Sequence, residues 1–434
     1  MKQLILTVLF LIYFPNSSFS QPTWTEQNSG VTVTLTSVHS ANGAVWVCGY
    51  SGTVLRSINS GVTWLNVSGN GIPPATQLIN VVAIGINTAL VAGYVGTNTF
   101  VYRTSNSGAN WTQVFTEASG FINAINIKPN GTNGFMMGDP VGTRWSLWKT
   151  TNGGITWDSS GCYLPRTGTT EAGWNNSLFG INDRLWFGTN NTKIYHSTDY
   201  GSSWTAQSTT GEVNSYALWF EALSSEQNGF SGGTTMLKTT NYGNTWNPNN
   251  TLGTGNIGGI TAGPYIITDN VRSIPPYLFY VRPTTNKIYY STNGGTSWAE
   301  QYTAPAGNYR YIGTSFFANG IWAVRDNGGI SFLDIGTKVT QTGTEVPELY
   351  SLSQNYPNPF NPVTNIKFSV PKDGNVSIKV FDVYGKETGE YVNEFLSRGE
   401  YKVSFDGTGL SSGIYFCVMK ADNFTDKKKM ILVK

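Results

Sequence analysis

One eight-residue pattern, Ser/Thr-x-Asn/Asp-x-Gly-x-x-Trp, recurs six times in this chain, at residues 57–64, 104–111, 150–157, 197–204, 239–246 and 291–298. Its tryptophans recur at a mean interval of about 47 residues, and a fixed interval in that range marks a solenoid, a propeller or an array. Between the copies lie runs rich in β-branched and aromatic residues, such as 44–50, 53–57 and 185–188, bounded by Gly and Asn. These read as strands. One interval accommodates a four-stranded sheet, so the repeat predicts an all-β chain whose main unit is a β-propeller.

The octet has a local logic. Its third position, held by Asn59, Asn106, Asn152, Asp199, Asn241 and Asn293, can accept hydrogen bonds from the backbone of its own turn. Its fifth, held by Gly61, Gly108, Gly154, Gly201, Gly243 and Gly295, permits positive φ. Trp64, Trp111, Trp157, Trp204, Trp246 and Trp298 then begin the next strand and are expected to pack between blades. The octet resembles the Asp-box (BNR) repeat of sialidase-like, sortilin-like and photosystem II assembly factor-like propellers. That resemblance implies a structural box, on the turn away from the usual binding face.

The chain ends decide the blade count. Trp24-Thr25-Glu26-Gln27 looks like the strand that follows a box, yet no box precedes it; strands near 309–314, 321–325 and 330–333 have no box after them. Joined, they make one blade, predicting seven in all and a ring without open sheet edges. Six blades is the alternative count.

After about residue 336 the pattern changes. Residues 337–344 read as a polar linker and 345–434 as a small Ig-like β-sandwich with a proline-rich entry and turn glycines after strands. The ordered set Tyr-Pro-Asn-Pro-Phe-Asn-Pro (356–362), Val-Tyr-Gly (383–385), Ser-Gly-Ile-Tyr (412–415) and the final Lys-Met-Ile-Leu-Val-Lys resembles the type A sorting domain of type IX secretion substrates. The resemblance implies export to the periplasm, recognition of residues 345–434 by the translocon and its sortase, and delivery to the medium or the outer cell surface. Lys427, Lys428 and Lys429 could form a basic patch for lipid, but they read rather as solvated charges that discourage edge pairing.

At the other end, Lys2, an apolar run over 4–14 and a polar stretch closing on Ser18-Phe19-Ser20 have the parts of a secretory signal, residues 1–20, leaving 21–336 for the propeller. Lys+Arg 27 against Asp+Glu 25, scattered along the chain, gives no basic field to attract a phosphate backbone, so nucleic acid is not an expected partner. Cys48, Cys162 and Cys417 are too few and too dispersed for a disulfide framework or a metal cluster. No cofactor or metal is expected, and the chain reads as a monomer.

Candidate chemistry falls on the face formed by the links between blades and the turns joining each blade's second and third strands. Asp139 and Glu171 are the candidate catalytic carboxylates; Arg144, Trp145, Arg166, Trp174, Arg282, Arg325 and Asp326 are candidate ligand contacts. Residues 137–140, 171–173 and 185–189 resemble a group of secreted BNR propellers, some labelled oxidoreductase or sialidase-like. A sialidase would need three arginines, a Tyr-Glu pair and an early Arg-Ile-Pro segment; Val271-Arg272-Ser273-Ile274-Pro275 is a late, imperfect echo. His39 and His196 lack metal-spaced partners and read as core or strand-face imidazoles, and Trp174, Trp219 and Tyr94 could stack on sugars. The leading expectation is a non-catalytic protein that binds a glycan or a surface protein. The alternative is a glycoside-acting hydrolase or lyase using Asp139 and Glu171 across a gap of roughly 5 to 9 Å.

Overall fold

The computed structural model describes residues 23–434 apart from 210, 222–225, 264–266, 269–270, 273–276, 315–319, 335–339, 344–346, 397 and 408–409. The signal segment, and most of the echo at 271–275, lie outside the described residues. Seven antiparallel sheets follow one another as blades. The first contains Leu35–Ala41, Ala44–Gly49, Val54–Ser57 and Leu65–Asn66, ordered from axis to rim. The innermost strands touch in a closed cycle, with Leu35–Ala41 lying between Gln77–Ala83 of blade two and Tyr309–Gly313 of blade seven. Blade three has three strands, and its outer position is marked by two isolated bridges, Lys149 to Asp158 and Arg144 to Pro165.

Ring closure follows the sequence expectation. Trp24–Gln27 pairs antiparallel with Ile330–Asp334, Trp24 opposite Leu333 and Gln27 opposite Ile330. Second strands such as Ala44–Gly49 and Gly320–Arg325 are buried along their whole length, because neighbouring blades cover both sheet faces. That is why they read as unbroken apolar runs rather than alternating ones.

All six boxes fold alike. In the first, Asn59 Oδ1 accepts the Thr63 N–H at 3.0 Å, and the Ser57 hydroxyl accepts the Gly61 N–H at 2.8 Å. The Ser/Thr at the first position therefore shares the capping work that the sequence had assigned to Asn/Asp alone. Each box glycine has positive φ, from 78° to 85°. Each also sits against the preceding blade: a Cβ on Gly108 would lie 2.6 Å from the Val67 Cβ. The tryptophans reach the same way, Trp111 Nε1 donating to Val67 O at 3.0 Å and Trp298 Nε1 to Asn249 Oδ1 at 3.4 Å.

The C-terminal unit is a sandwich of two four-stranded sheets. Thr340–Gly343, inside the stretch expected to be linker, pairs with Gly399–Asp406, so this sheet begins earlier than the sequence suggested. The neighbouring strand Val363–Val370 alternates because one face is covered: Ile366, Phe368 and Val370 point into a core shared with Ile378, Val380, Val403 and Met430. The proline-rich segment lies against the last strand, Phe360 N–H donating to Ile431 O and Val433 N–H to Phe360 O, both at 2.9 Å.

Candidate functional site

Chain direction divides the disc into two faces. Box turns and first hairpins occupy one; second hairpins and blade-to-blade links occupy the other, the loop face. Near the axis the loop face has a floor. The inner strand of blade four bulges between Gly173 and Leu178, with Asn176 at a φ of 62°, and carries that side chain to blades one and two. Asn176 Oδ1 accepts Asn80 Nδ2 at 2.7 Å and the Ser37 hydroxyl at 3.0 Å, while its Nδ2 donates to Ile79 O at 3.1 Å.

Around this floor runs an arc of part-exposed aromatic rings. Tyr50, at the second hairpin of blade one, is 39% exposed. It neighbours Tyr94, whose hydroxyl pKa is raised by burial and then by Tyr50. Tyr94 tilts against Phe121 at 5.0 Å, and across the Asp139 position Trp174 lies 4.2 Å from Tyr216. The arc crosses blades one to five. Of these rings, sequence reasoning had singled out Tyr94 and Trp174; Tyr50, Phe121 and Tyr216 stand alone in loops and gave no periodic signal.

The two candidate carboxylates are held differently. Asp139 Oδ1 accepts Asn123 Nδ2 at 2.7 Å and the Gly173 N–H at 2.8 Å, which locks the start of the blade-four strand. Burial raises its pKa, and those two donors only partly offset the rise. Glu171 has no exposed carboxylate surface and takes Thr167 N–H at 2.7 Å, Tyr195 OH at 3.0 Å and Lys193 Nζ at 3.3 Å. Burial pushes its pKa up, but these partners together bring it below the ordinary value.

Three expected ligand contacts are enclosed instead. Trp145 is 1% exposed, packed on Phe187 and Tyr195. Arg282, also 1% exposed, donates to Leu252 O at 2.9 Å, Thr251 Oγ1 at 3.0 Å and Gly255 O, pinning the link between blades five and six. Arg325 is committed to Glu26 and the Ser331 hydroxyl. Arg144 is exposed beside a cavity of about 80 Å³ that Glu117 and Trp148 also line, and Arg166 is part-exposed. Asp326 accepts the Asn308 N–H at 2.8 Å and faces Arg310 at 3.4 Å.

Trp219 belongs to the core at 8% exposure. His196 stacks flat on Trp186 at 4.6 Å, away from any metal-binding set, and His39 Nδ1 accepts the Ala83 N–H at 3.2 Å. Among the described residues no three His, Cys, Asp or Glu side chains converge as metal ligands would.

Residues 18–254, more than half the chain, match the family described as photosynthesis system II assembly factor YCF48. The chain belongs to that family. This YCF48-family propeller is joined to a second recognisable unit, since residues 354–434 match the secretion system C-terminal sorting domain. That domain marks proteins exported by type IX secretion, so this family member is a secreted or cell-surface protein that engages the secretion system. None of the curated proteins matches the sequence. Among solved structures it is similar to one described as YCF48 bound to D1 peptide and to YCF48 from Cyanidioschyzon merolae. Both are 14% identical with a TM-score of 0.53, covering 72% of this chain and 96% and 99% of theirs. It is also similar to the GH74 enzyme of Niastella koreensis, 14% identical with a TM-score of 0.51, over 95% of this chain and 75% of that one. At these identities the likeness carries the fold.

Proposed function

We propose that this protein is a non-catalytic binding module, delivered to the cell surface or medium, whose loop face holds a polypeptide segment or a glycan chain against the aromatic arc. The observation that carries the reading is the arc itself. Tyr50 is exposed and Tyr94, Phe121, Trp174 and Tyr216 are part-exposed, over five blades, above a floor closed by Asn176. Flat rings suit an extended ligand because both peptide planes and sugar faces stack on them at low entropic cost. The structure of YCF48 bound to D1 peptide supports a polypeptide as the first ligand class to test.

A second reading, glycoside cleavage, is favoured by one observation: the surroundings of Asp139 and Glu171 push their pKa values in opposite directions, as an acid and base pair would require. Against it, the Glu171 carboxylate has no exposed surface and its oxygens are already bonded.

Peptide and glycan arrays probed with the full chain, beside a hydrolase panel, separate the two. Binding that falls by about tenfold in Trp174→Ala and Tyr94→Ala, yet persists in Asp139→Asn, supports the module. Turnover of a glycoside that disappears in Asp139→Asn and Glu171→Gln overturns it.

A further inference from the structure

The two outer faces of the C-terminal sandwich differ in kind. On the sheet containing Val363–Val370, the outward positions are polar along the strand centres, with Asn365, Lys367 and Ser369 on one strand and Lys402 and Ser404 on its neighbour. The opposite sheet is built otherwise. Its strand Gly413–Ala421 turns Ile414, Phe416 and Val418 outward, while Tyr415, Cys417 and Met419 fill the core. Register places Phe381 beside Phe416 on one side and Ile431 beside Ile414 on the other, so the apolar stripe spans three strands.

Cations rim the stripe. Lys427 stands opposite Val418, Lys429 opposite Phe416, and Lys420 continues the row of Gly413–Ala421. All three are exposed, and among the described residues none of them forms an ion pair. Lys428, one position out of phase, turns to the other side and is paired with Asp426 at 3.0 Å. On the far side of the sheet Lys379 is outnumbered by its two partners, Glu387 and Glu390, so the unpaired lysines lie on one side of the stripe.

At one end the stripe runs onto a protruding turn. Val383 is 55% exposed and Tyr384 is 92% exposed, in the turn that follows Gly374–Asp382, whose last residue stands opposite Tyr415 next to Ile414. Val433, 49% exposed, closes the same end. An aliphatic residue and a tyrosine at a turn tip, an apolar stripe behind them and long-stemmed lysines alongside match the interface of a bilayer, where rings sit at headgroup depth and lysines reach phosphate. The stripe itself offers no hydrogen-bonding side chain of the kind a specific protein partner would read.

We propose that this sheet face docks on an anionic phospholipid bilayer, Tyr384 and Val383 entering the interface and Lys420, Lys427 and Lys429 contacting headgroup phosphates. The site lies apart from the propeller's loop face and does not depend on what that face binds.

The test is co-sedimentation of the full chain with vesicles of phosphatidylcholine containing phosphatidylglycerol, beside pure phosphatidylcholine. Each lysine near an anionic surface contributes roughly a fivefold gain in partitioning, so Lys427→Glu with Lys429→Glu lowers binding by more than about twentyfold. Binding is confined to the anionic vesicles and fades at molar salt. A Tyr384→Cys variant carrying an environment-sensitive dye reports entry directly, by a blue shift on anionic vesicles; the native thiols are all buried. Absence of sedimentation at low salt, or equal sedimentation of the charge-reversed variant, overturns the proposal, as does a dye unchanged by vesicles. The face would then be assigned to an acidic protein instead.

Discussion

Glu26 and Arg325, 299 residues apart in the chain, meet in blade seven, where the carboxylate takes the guanidinium and also accepts the Ser331 hydroxyl at 2.6 Å and Tyr302 OH at 2.9 Å. Glu26 lies on the N-terminal strand and Arg325 on the middle strand that it helps to cover, so the pair fastens the ring where its two ends join. Burial would raise the Glu26 pKa, but Arg325 and Ser331 bring it down, which leaves the carboxylate ionised.

Glu26→Ala leaves the Arg325 guanidinium, whose side chain is 4% exposed, without its counter-charge. Because Glu26 itself is partly solvated, the expected loss is about 3 kcal/mol, at the low end for breaking a buried pair. Denaturant unfolding measures the loss. Limited proteolysis should also release residues before 30 sooner than in the parent, and an unchanged cleavage pattern would falsify the clasp.

Gly108→Ala tests the box glycine on two counts. The position has a φ of 85°, and the new Cβ would lie 2.6 Å from Val67 of the preceding blade. Strain and overpacking together predict a loss of roughly 2 to 4 kcal/mol, read as a lower denaturation midpoint. A loss under about 1 kcal/mol would mean that only the backbone preference operates.

At the axis, Asn176→Ala removes the partner of Asn80 and Ser37 and should cost about 1 to 3 kcal/mol. Asn176→Asp should be the more damaging change. Its second oxygen would face the Ile79 and Thr36 carbonyls that now accept from the amide. Equal stability of the two variants would contradict the assigned orientation of the amide.

Acid should loosen blades four and five. His196 has its pKa lowered to about 4 by burial and then by the charge of Arg184, whose Nη1 lies 3.5 Å from the ring's Nε2. The folded state therefore keeps the neutral ring, while the unfolded chain titrates near the ordinary value of about 6.5. Stability from this group is complete above that value and declines as pH falls from it toward 4. The melting temperature should drop between pH 6.5 and 5 with a slope that His196→Gln makes shallower; His39, also lowered to about 4 by burial, accounts for part of the remainder.

Much of the fold was legible because the octet repeats. A pattern that returns six times fixes both the turn and its spacing, and unmatched strands at each end imply their own pairing. The tail was readable for a different reason, the ordered set of motifs from Tyr-Pro-Asn-Pro-Phe-Asn-Pro at 356–362 to the final Lys-Met-Ile-Leu-Val-Lys. The candidate site was less legible. Loop positions placed Arg282 and Arg325 at the correct end of their blades, but the groups that enclose them come from 30 and 299 residues away. Asn176 reads as one polar residue among several in a strand; only the bulge beside it, which depends on the closed ring, turns it toward the axis.

The join in blade seven also sets an order of events. Six blades can be assembled from neighbouring stretches of chain, whereas the seventh must wait for its three C-terminal strands before Trp24–Gln27 has anything to pair with. Until that late contact forms, the nascent disc is an arc with two unsatisfied edges, and contacts of such long sequence separation are the slow ones. A chain stopped short of residue 330 would expose those edges permanently, and its hazard would be self-association rather than simple loss of a blade.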